Sequence, residues 1–179
     1  MSDCGRLFPS VFFDRDGTLM EEVRYCNDPS KVVMIPGSSH ALRQLAERGF
    51  KRIIITNQSG IGRGIISMEQ FEAVQAELLR QLGPNTIDAV YFCPAVPDQR
   101  SIRRKPIPGM VFEASWQHGI DLSRSWFVGD KKADIGCGRS AGMRTILVET
   151  GYGKNQIEAG ADFIAADAAA AVRLILEKT

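Results

Sequence analysis

The residues best suited to chemistry fall in four short stretches. Asp14-Arg15-Asp16-Gly17-Thr18, Thr56-Asn57-Gln58-Ser59-Gly60 and Gly129-Asp130-Lys131-Lys132-Ala133-Asp134 each follow an apolar run, and Arg103-Arg104-Lys105-Pro106 precedes a helical pattern. Carboxylates gathered in one place repel one another unless a hard cation neutralises them. Magnesium favours that setting, with a few carboxylates, waters and phosphate oxygens around it. A carboxylate can also attack phosphorus, and the resulting aspartyl-phosphate splits one hard displacement into two easier ones. A second carboxylate two residues on can protonate the leaving oxygen and then deprotonate the hydrolytic water. Thr56 and Lys105 supply a hydroxyl and a positive charge for phosphoryl oxygens. Gly17 lets the backbone turn tightly beside them.

This chemistry requires elements that bring the stretches together. Continuous apolar runs rich in β-branched and aromatic residues predict buried strands over 10–13, 52–55, 88–92, 125–128 and 144–148, with a weaker one over 162–165. Helices are predicted over 38–48, stopping at Gly49, and over 68–82. The second opens on Ser67 and Gln70 in capping-box spacing and stops at Gly83-Pro84. Others begin with Pro108 in the first turn and run to Gly119, or span 133–141 and 168–178. Strands alternating with helices imply a mostly parallel sheet between helix layers, an α/β fold of Rossmann-like type. Ligands then bind beyond the carboxyl ends of the strands, where the stretches converge.

A chain of 179 residues suits one domain over 1–179 with a real core. The net charge of +1, without a long cationic block, argues against a nucleic-acid partner. No apolar run approaches the roughly 20 residues that span a bilayer, and MSDCGRLFPS lacks the parts of a signal peptide, so a cytoplasmic protein is expected. Cys4, Cys26, Cys93 and Cys137 lie far apart and read as free thiols.

The motifs D-x-D-G-T, a strand-ending Thr, a Lys and G-D-x-x-x-D, in that order, resemble the haloacid-dehalogenase (HAD) superfamily of phosphohydrolases. The fuller strings F-F-D-R-D-G-T-L, I-T-N-Q-S-G-I-G-R-G, Y-F-C-P, R-K-P-I-P-G-M and V-G-D-K are similar to the D-glycero-D-manno-heptose 1,7-bisphosphate 7-phosphatases and their histidinol-phosphatase relatives. The likeness runs from about Val11 to Gly151. It implies a capless three-layer HAD fold and a monomeric, magnesium-dependent enzyme removing the 7-phosphate of a small phosphorylated sugar, a lipopolysaccharide precursor. By position it implies Asp14 as nucleophile, Asp16 as acid/base, and Thr56 and Lys105 on the transferring group. Magnesium would be held by the Asp14 carboxylate, the Asp16 main-chain carbonyl and Asp130. Glu22, Val23, Arg24, Tyr25, Asn57, Gln58, Ser59, Arg104 and Lys131 would meet the substrate, with Asp134 acting from behind.

In one place the chain departs from that family. That family usually carries a structural zinc in a C-P-H-H loop followed by C-x-C-R-K-P, whereas this loop reads Cys93-Pro94-Ala95-Val96-Pro97 and then Ser101-Ile102-Arg103-Arg104-Lys105-Pro106. One cysteine cannot supply four ligands, so no zinc is expected.

Plainer roles are weighed for several residues. Thr56-Asn57 could cap the segment that follows, and Asp134 could serve only a helix start. Arg103 reads as surface, Trp116 and Trp126 as packing residues, Met68 and Phe71 as core, and His40 and His118 as remote from the site. Rival functions are a phosphate-receiving signalling domain, a nucleic-acid 3′-phosphatase, a histidinol-phosphate or other sugar-phosphate phosphatase, and an inactive binding module. A receiver places its acidic pair and its phosphorylated Asp on different strands, whereas Asp14 and Asp16 flank one residue. An inactive module requires a lesion in the machinery, and none is visible.

Overall fold

The computed structural model describes residues 7–179, so Cys4 lies outside the described residues. Six strands, β1 (Ser10–Phe13), β2 (Lys51–Asn57), β3 (Ala89–Cys93), β4 (Trp126–Gly129), β5 (Arg144–Val148) and β6 (Phe163–Ala165), form one sheet in the order β3-β2-β1-β4-β5-β6. Every pairing is parallel. The expectation of a mostly parallel sheet thus becomes an all-parallel one.

Helices α1 (Ser38–Glu47), α2 (Ser59–Gly62), α3 (Met68–Leu82), α4 (Gly109–His118) and α5 (Lys132–Ser140) lie between the strands in sequence, and α6 (Ala168–Glu177) follows β6. Successive strand residues point to opposite faces, so both faces of a covered sheet must be apolar. Val11 and Phe13 pack with Leu42 and Leu45 of α1, Val74 and Leu78 of α3, and Val172 and Ile175 of α6. Phe12 packs on the other face with Met110, Val111 and Ala114 of α4 and with Cys137 of α5. The rings of Phe12 and Phe127 stack at 6.3 Å between centroids. Each such side chain, fully buried, contributes about 1.5–3 kcal/mol.

The order of the sheet places the site. From β1 the chain builds outward through β2 and β3, then returns to the other side of β1 with β4 and continues to β6. The switch point therefore lies between β1 and β4, where the connections diverge and leave a crevice at the carboxyl ends. Phe13 is level with Val128 and with Ile54, so Asp14, Gly129-Asp130 and Thr56 emerge on one rim.

Most predicted boundaries differ from the observed ones by a residue or two. β2 is longer than its apolar run because Ser10 holds Lys51 at one end and Cys93 holds Asn57 at the other. Helix α3 matches its prediction, with the Ser67–Gln70 capping box formed. Pro108 is the N-cap of α4 rather than its first residue.

Two packing expectations fail. Trp116 is 85% exposed, because it lies about 200° around α4 from buried Ala114 at 3.6 residues per turn. Met68, the first residue of α3, is also exposed, while Trp126 and Phe71 are buried as expected. Cys26, Cys93 and Cys137 are free and buried. Among the described residues no helix is long and apolar enough to cross a membrane.

Candidate active site

Asp14 is fixed by the sheet itself. Its N–H donates to Val128 O at 2.9 Å, extending the β1–β4 pairing by one residue. Its carboxylate Oδ1 accepts the Arg15 N–H at 2.8 Å and stands 2.8 Å from Lys105 Nζ. Oδ2 has Lys131 Nζ at 3.9 Å. Burial pushes the Asp14 pKa up, but Lys105 and then Lys131 outweigh it and hold the carboxyl below its ordinary value. Gly17, at φ +80°, turns the chain back beside this group, and a Cβ there would collide with the Asp130 carboxylate.

Lys105 is buried and fully engaged. Its Nζ donates to Ile55 O at 2.7 Å and pairs with Asp14 Oδ1 and, at 2.6 Å, with Asp134 Oδ1. Burial alone would lower its pKa, yet Asp134 and Asp14 overcome that and keep the amine firmly charged. The Asn57 side chain holds the lysine's backbone, donating to Lys105 O and accepting from Lys105 N, both at 3.1 Å. Asn57, predicted to meet substrate, therefore has both ends of its amide committed to this clamp.

Asp130 and Asp134 come from the loop after β4. Asp134 Oδ2 accepts the Lys131 N–H at 2.9 Å, the N-terminal cap of α5. Its Cβ and carboxyl lie so close to Gly129 that a side chain at that glycine would collide with them. Asp130 Oδ2 accepts the Tyr152 N–H at 2.9 Å, but Oδ1 is buried without a hydrogen-bond partner. Burial, reinforced by the Asp14 charge, pushes Asp130 up to about 7 and Asp134 up to about 6.

Oxygens of Asp14, Asp130 and Asp134 lie within 4.8 Å of one another. They form the one group of three or more metal-capable side chains found among the described residues. An all-oxygen donor set with an orphaned carboxylate oxygen suits a hard divalent cation such as magnesium.

Asp16 sits apart from this cluster. Arg15 Nε and Nη2 donate to its Oδ2 and Oδ1 at 3.0 and 3.1 Å, and Gln58 Nε2 donates to Oδ2 at 2.8 Å. Gln58 Nε2 also donates to Thr56 Oγ1 at 2.9 Å.

The cavity over these groups measures about 350 Å³. Every residue predicted for the site lines it except Asp130, which is wholly buried behind it. Glu22, Val23, Arg24 and Tyr25 form one wall. Lys131 also lines the cavity, with Nζ 3.0 Å from Glu22 Oε2 and 3.6 Å from Asp130 Oδ1. Arg104 Nη1 donates to Ala95 O at 2.7 Å.

Arg15, Cys26, Gly60, Ala133 and Tyr152 also line the cavity and were not predicted. Tyr152 follows β5, so applying the strand-end rule to a fifth strand would have found it. Arg15 is the unspecified middle residue of D-x-D, where the motif gives no signal. Arg103, read as surface, pairs with Glu113 on α4 and donates to Phe92 O at 3.2 Å, tying the lysine-bearing loop to the sheet. His40 is exposed on α1, and His118 lies against Tyr91 Oη at 3.1 Å.

Known proteins resemble this chain in sequence and in fold. The HAD-hydrolase-like family model matches residues 102–172. The D-glycero-D-manno-heptose-1,7-bisphosphate 7-phosphatase of Thermosynechococcus vestitus is 40% identical, over 93% of this chain and 95% of its own length. The D-glycero-beta-D-manno-heptose-1,7-bisphosphate 7-phosphatase of Yersinia pestis is 36% identical, over 87% of this chain and 89% of its own. The crystal structure of the D,D-heptose 1,7-bisphosphate phosphatase of B. bronchiseptica, complexed with magnesium and phosphate, superposes with a TM-score of 0.88 at 28% identity. That match covers 96% of this chain and 99% of that one. With identity of this level over nearly the whole length, the chain belongs to the D-glycero-D-manno-heptose-1,7-bisphosphate 7-phosphatase family of HAD-like phosphatases.

Proposed function

We propose that this protein is a magnesium-dependent phosphomonoesterase that removes the 7-phosphate of D-glycero-D-manno-heptose 1,7-bisphosphate through an aspartyl-phosphate on Asp14. The observation that carries this reading is Asp14 itself. It is a buried carboxylate kept ionised by Lys105, with Oδ1 already accepting two close donors and Oδ2 left to attack.

Asp14 Oδ2 forms a bond to phosphorus as the phosphorus–oxygen bond to the sugar breaks, and the departing oxygen takes a proton from Asp16. Water then attacks phosphorus and gives a proton back to Asp16, and the Asp14–phosphorus bond breaks to release inorganic phosphate. Thr56 would donate to an equatorial oxygen, where charge gathers in the transition state, while Lys105, its three hydrogens committed to Ile55 O, Asp14 and Asp134, supplies positive charge beside it. Asp14, Asp130 and the Asp16 main-chain carbonyl are the groups that would hold magnesium, with Asp134 anchoring Lys105 behind them. Bound magnesium would offset the carboxylate repulsion and draw charge from the phosphoryl group.

The small cavity and the cations Arg24, Arg104 and Lys131 along it favour a compact substrate with more than one negative charge. The net charge of +1 gives no support to a nucleic-acid substrate. The same reading takes the enzyme as a cytoplasmic monomer, to be checked by sedimentation and by fractionation of cells.

It also takes the chain to hold no zinc. Cys93 Sγ faces the Ser101 hydroxyl at 3.6 Å, and Ser101 and Ala95 stand where the family's ligands would be. Elemental analysis of purified protein at stoichiometric zinc would reverse that reading.

The decisive experiment incubates the purified protein and magnesium with heptose 1,7-bisphosphate, histidinol phosphate, other sugar phosphates and a 3′-phosphorylated oligonucleotide. The expected result is one phosphate released per heptose bisphosphate, a product retaining its 1-phosphate, and much slower turnover of the others. Preference for histidinol phosphate or for the oligonucleotide would replace the substrate assignment.

A further inference from the structure

Gln58 was expected to contact substrate, yet its amide nitrogen has both hydrogens engaged within the protein. It is buried, and Nε2 donates to Asp16 Oδ2 at 2.8 Å and to Thr56 Oγ1 at 2.9 Å. The reverse amide orientation would place its oxygen against the Asp16 carboxylate, so the hydrogen-bond network itself selects this one. We propose that Gln58 is a positioning residue that couples the acid/base Asp16 to the phosphoryl-holding Thr56. This inference rests on the phosphatase reading above.

Counting lone pairs and hydrogens gives the consequence. Each carboxylate oxygen accepts about two hydrogen bonds. Asp16 Oδ2 has two donors, Arg15 Nε and Gln58 Nε2, whereas Oδ1 has Arg15 Nη2 alone. Oδ1 therefore keeps an open lone pair, and it is the oxygen that gives a proton to the leaving group and takes one from water. A threonine hydroxyl has one hydrogen and two lone pairs. Because Thr56 Oγ1 accepts from Gln58, its own hydrogen is left for a phosphoryl oxygen. One amide nitrogen thus sets the proton-bearing atom of one catalytic group and the donor direction of another.

Opposite this bridge, Arg15 is wholly buried, with its guanidinium 5.3 Å from the Phe71 ring centroid. Its side chain cannot swing away and release Asp16 without disrupting that packing. The carboxylate is gripped from two sides.

The test compares wild-type protein with Gln58→Met, which keeps the volume and removes the donor, and with Gln58→Asn, which keeps the donor but is too short to span both partners. kcat/KM is measured with an alkyl phosphate, whose leaving group needs a proton, and with p-nitrophenyl phosphate, whose leaving group does not. General acid assistance amounts to about 100-fold or more, so both variants should lose about tenfold more activity on the alkyl ester than on the aryl ester. KM for the alkyl ester should change little.

Equal losses on the two esters would make Gln58 merely structural and overturn the proposal. A raised KM at unchanged kcat would return Gln58 to substrate contact and also overturn it. If wild-type protein turned over neither ester, the phosphatase reading would fall together with this one. Unfolding midpoints of all three proteins identify a folding defect, and the shorter Asn variant decides the matter if the Met variant is unstable.

Discussion

Lys105 Nζ stands between two buried carboxylates, 2.8 Å from Asp14 Oδ1 and 2.6 Å from Asp134 Oδ1, with Ile55 O as its third partner at 2.7 Å. A single charge from the loop ahead of α4 is thereby shared between carboxylates following β1 and β4. Replacing it by methionine removes that charge and leaves two buried anions facing each other. We predict that Lys105→Met loses at least about 100-fold in kcat, because the cation that keeps the Asp14 nucleophile ionised and placed, and that stands beside the transferring group, is gone. Without magnesium it should also lose on the order of 3 kcal/mol in urea unfolding, and added magnesium should restore part of this. A variant as stable as wild type in chelator would contradict the pairing.

Asp14→Asn keeps the shape of the side chain and removes the nucleophile. The protein should remain folded by circular dichroism while turnover falls by roughly three orders of magnitude or more. Mass spectrometry after acid quench should find a phosphoryl group on Asp14 of the wild type and none on the variant. Retained activity would rule out the aspartyl-phosphate route.

The raised carboxyls make the metal-free protein less stable as pH rises from acid to neutral. Asp130, near 7, and Asp134, near 6, hold their protons more tightly folded than unfolded, through burial first and the Asp14 charge next. Stability from such groups is present in acid and lost as pH rises through the folded value. Asp14 has the opposite sign, but its window lies below its ordinary 3.8, and the windows of Lys105 and Lys131 lie above 10.5. In chelator, unfolding free energy should therefore fall by on the order of 2 kcal/mol between about pH 5.5 and pH 8. Saturating magnesium should flatten or reverse the slope, because the cation takes the place of the protons. A rise with pH in chelator would contradict these assignments.

Arg103 shows how far the loop carrying Lys105 depends on its anchors. Its side chain is 39% exposed, so its pair with Glu113 contributes at most about 1 kcal/mol to stability. Its bond to Phe92 O nevertheless fixes where the loop leaves the sheet. Arg103→Met should raise KM by about two- to fivefold, with kcat and the unfolding midpoint nearly unchanged, since looser placement of Arg104 and Lys105 weakens binding first. Unaltered kinetics would return Arg103 to the surface role expected for it.

Much of the architecture was legible residue by residue. The runs 10–13 and 144–148 are strands β1 and β5 without adjustment, because a strand covered on both faces needs a continuous apolar run. Helix α3 announced itself through Ser67, Gln70 and the Gly83-Pro84 stop. Asp14 and Asp16 after β1, Thr56 at the end of β2, and Lys131 and Asp134 after β4 do reach one cavity, with Asp130 buried behind it. Hydrophobicity misled at Trp116 and Met68, since an aromatic or sulfur side chain says nothing of which side of a helix is covered.

What the amino-acid order determined alone was local in origin: strand and helix periods, caps, and carboxylates placed directly after apolar runs. Those patterns arise from neighbours a few positions apart, so they survive without knowledge of the fold. The tertiary structure decided which groups act on which. Gln58 reaches Asp16 across 42 positions, Asn57 clamps Lys105 across 48, and Tyr152 caps Asp130 across 22. A hydrogen bond depends on an atom's direction to within a fraction of an ångström, and that direction exists only once the strands are ordered and the loops closed over them.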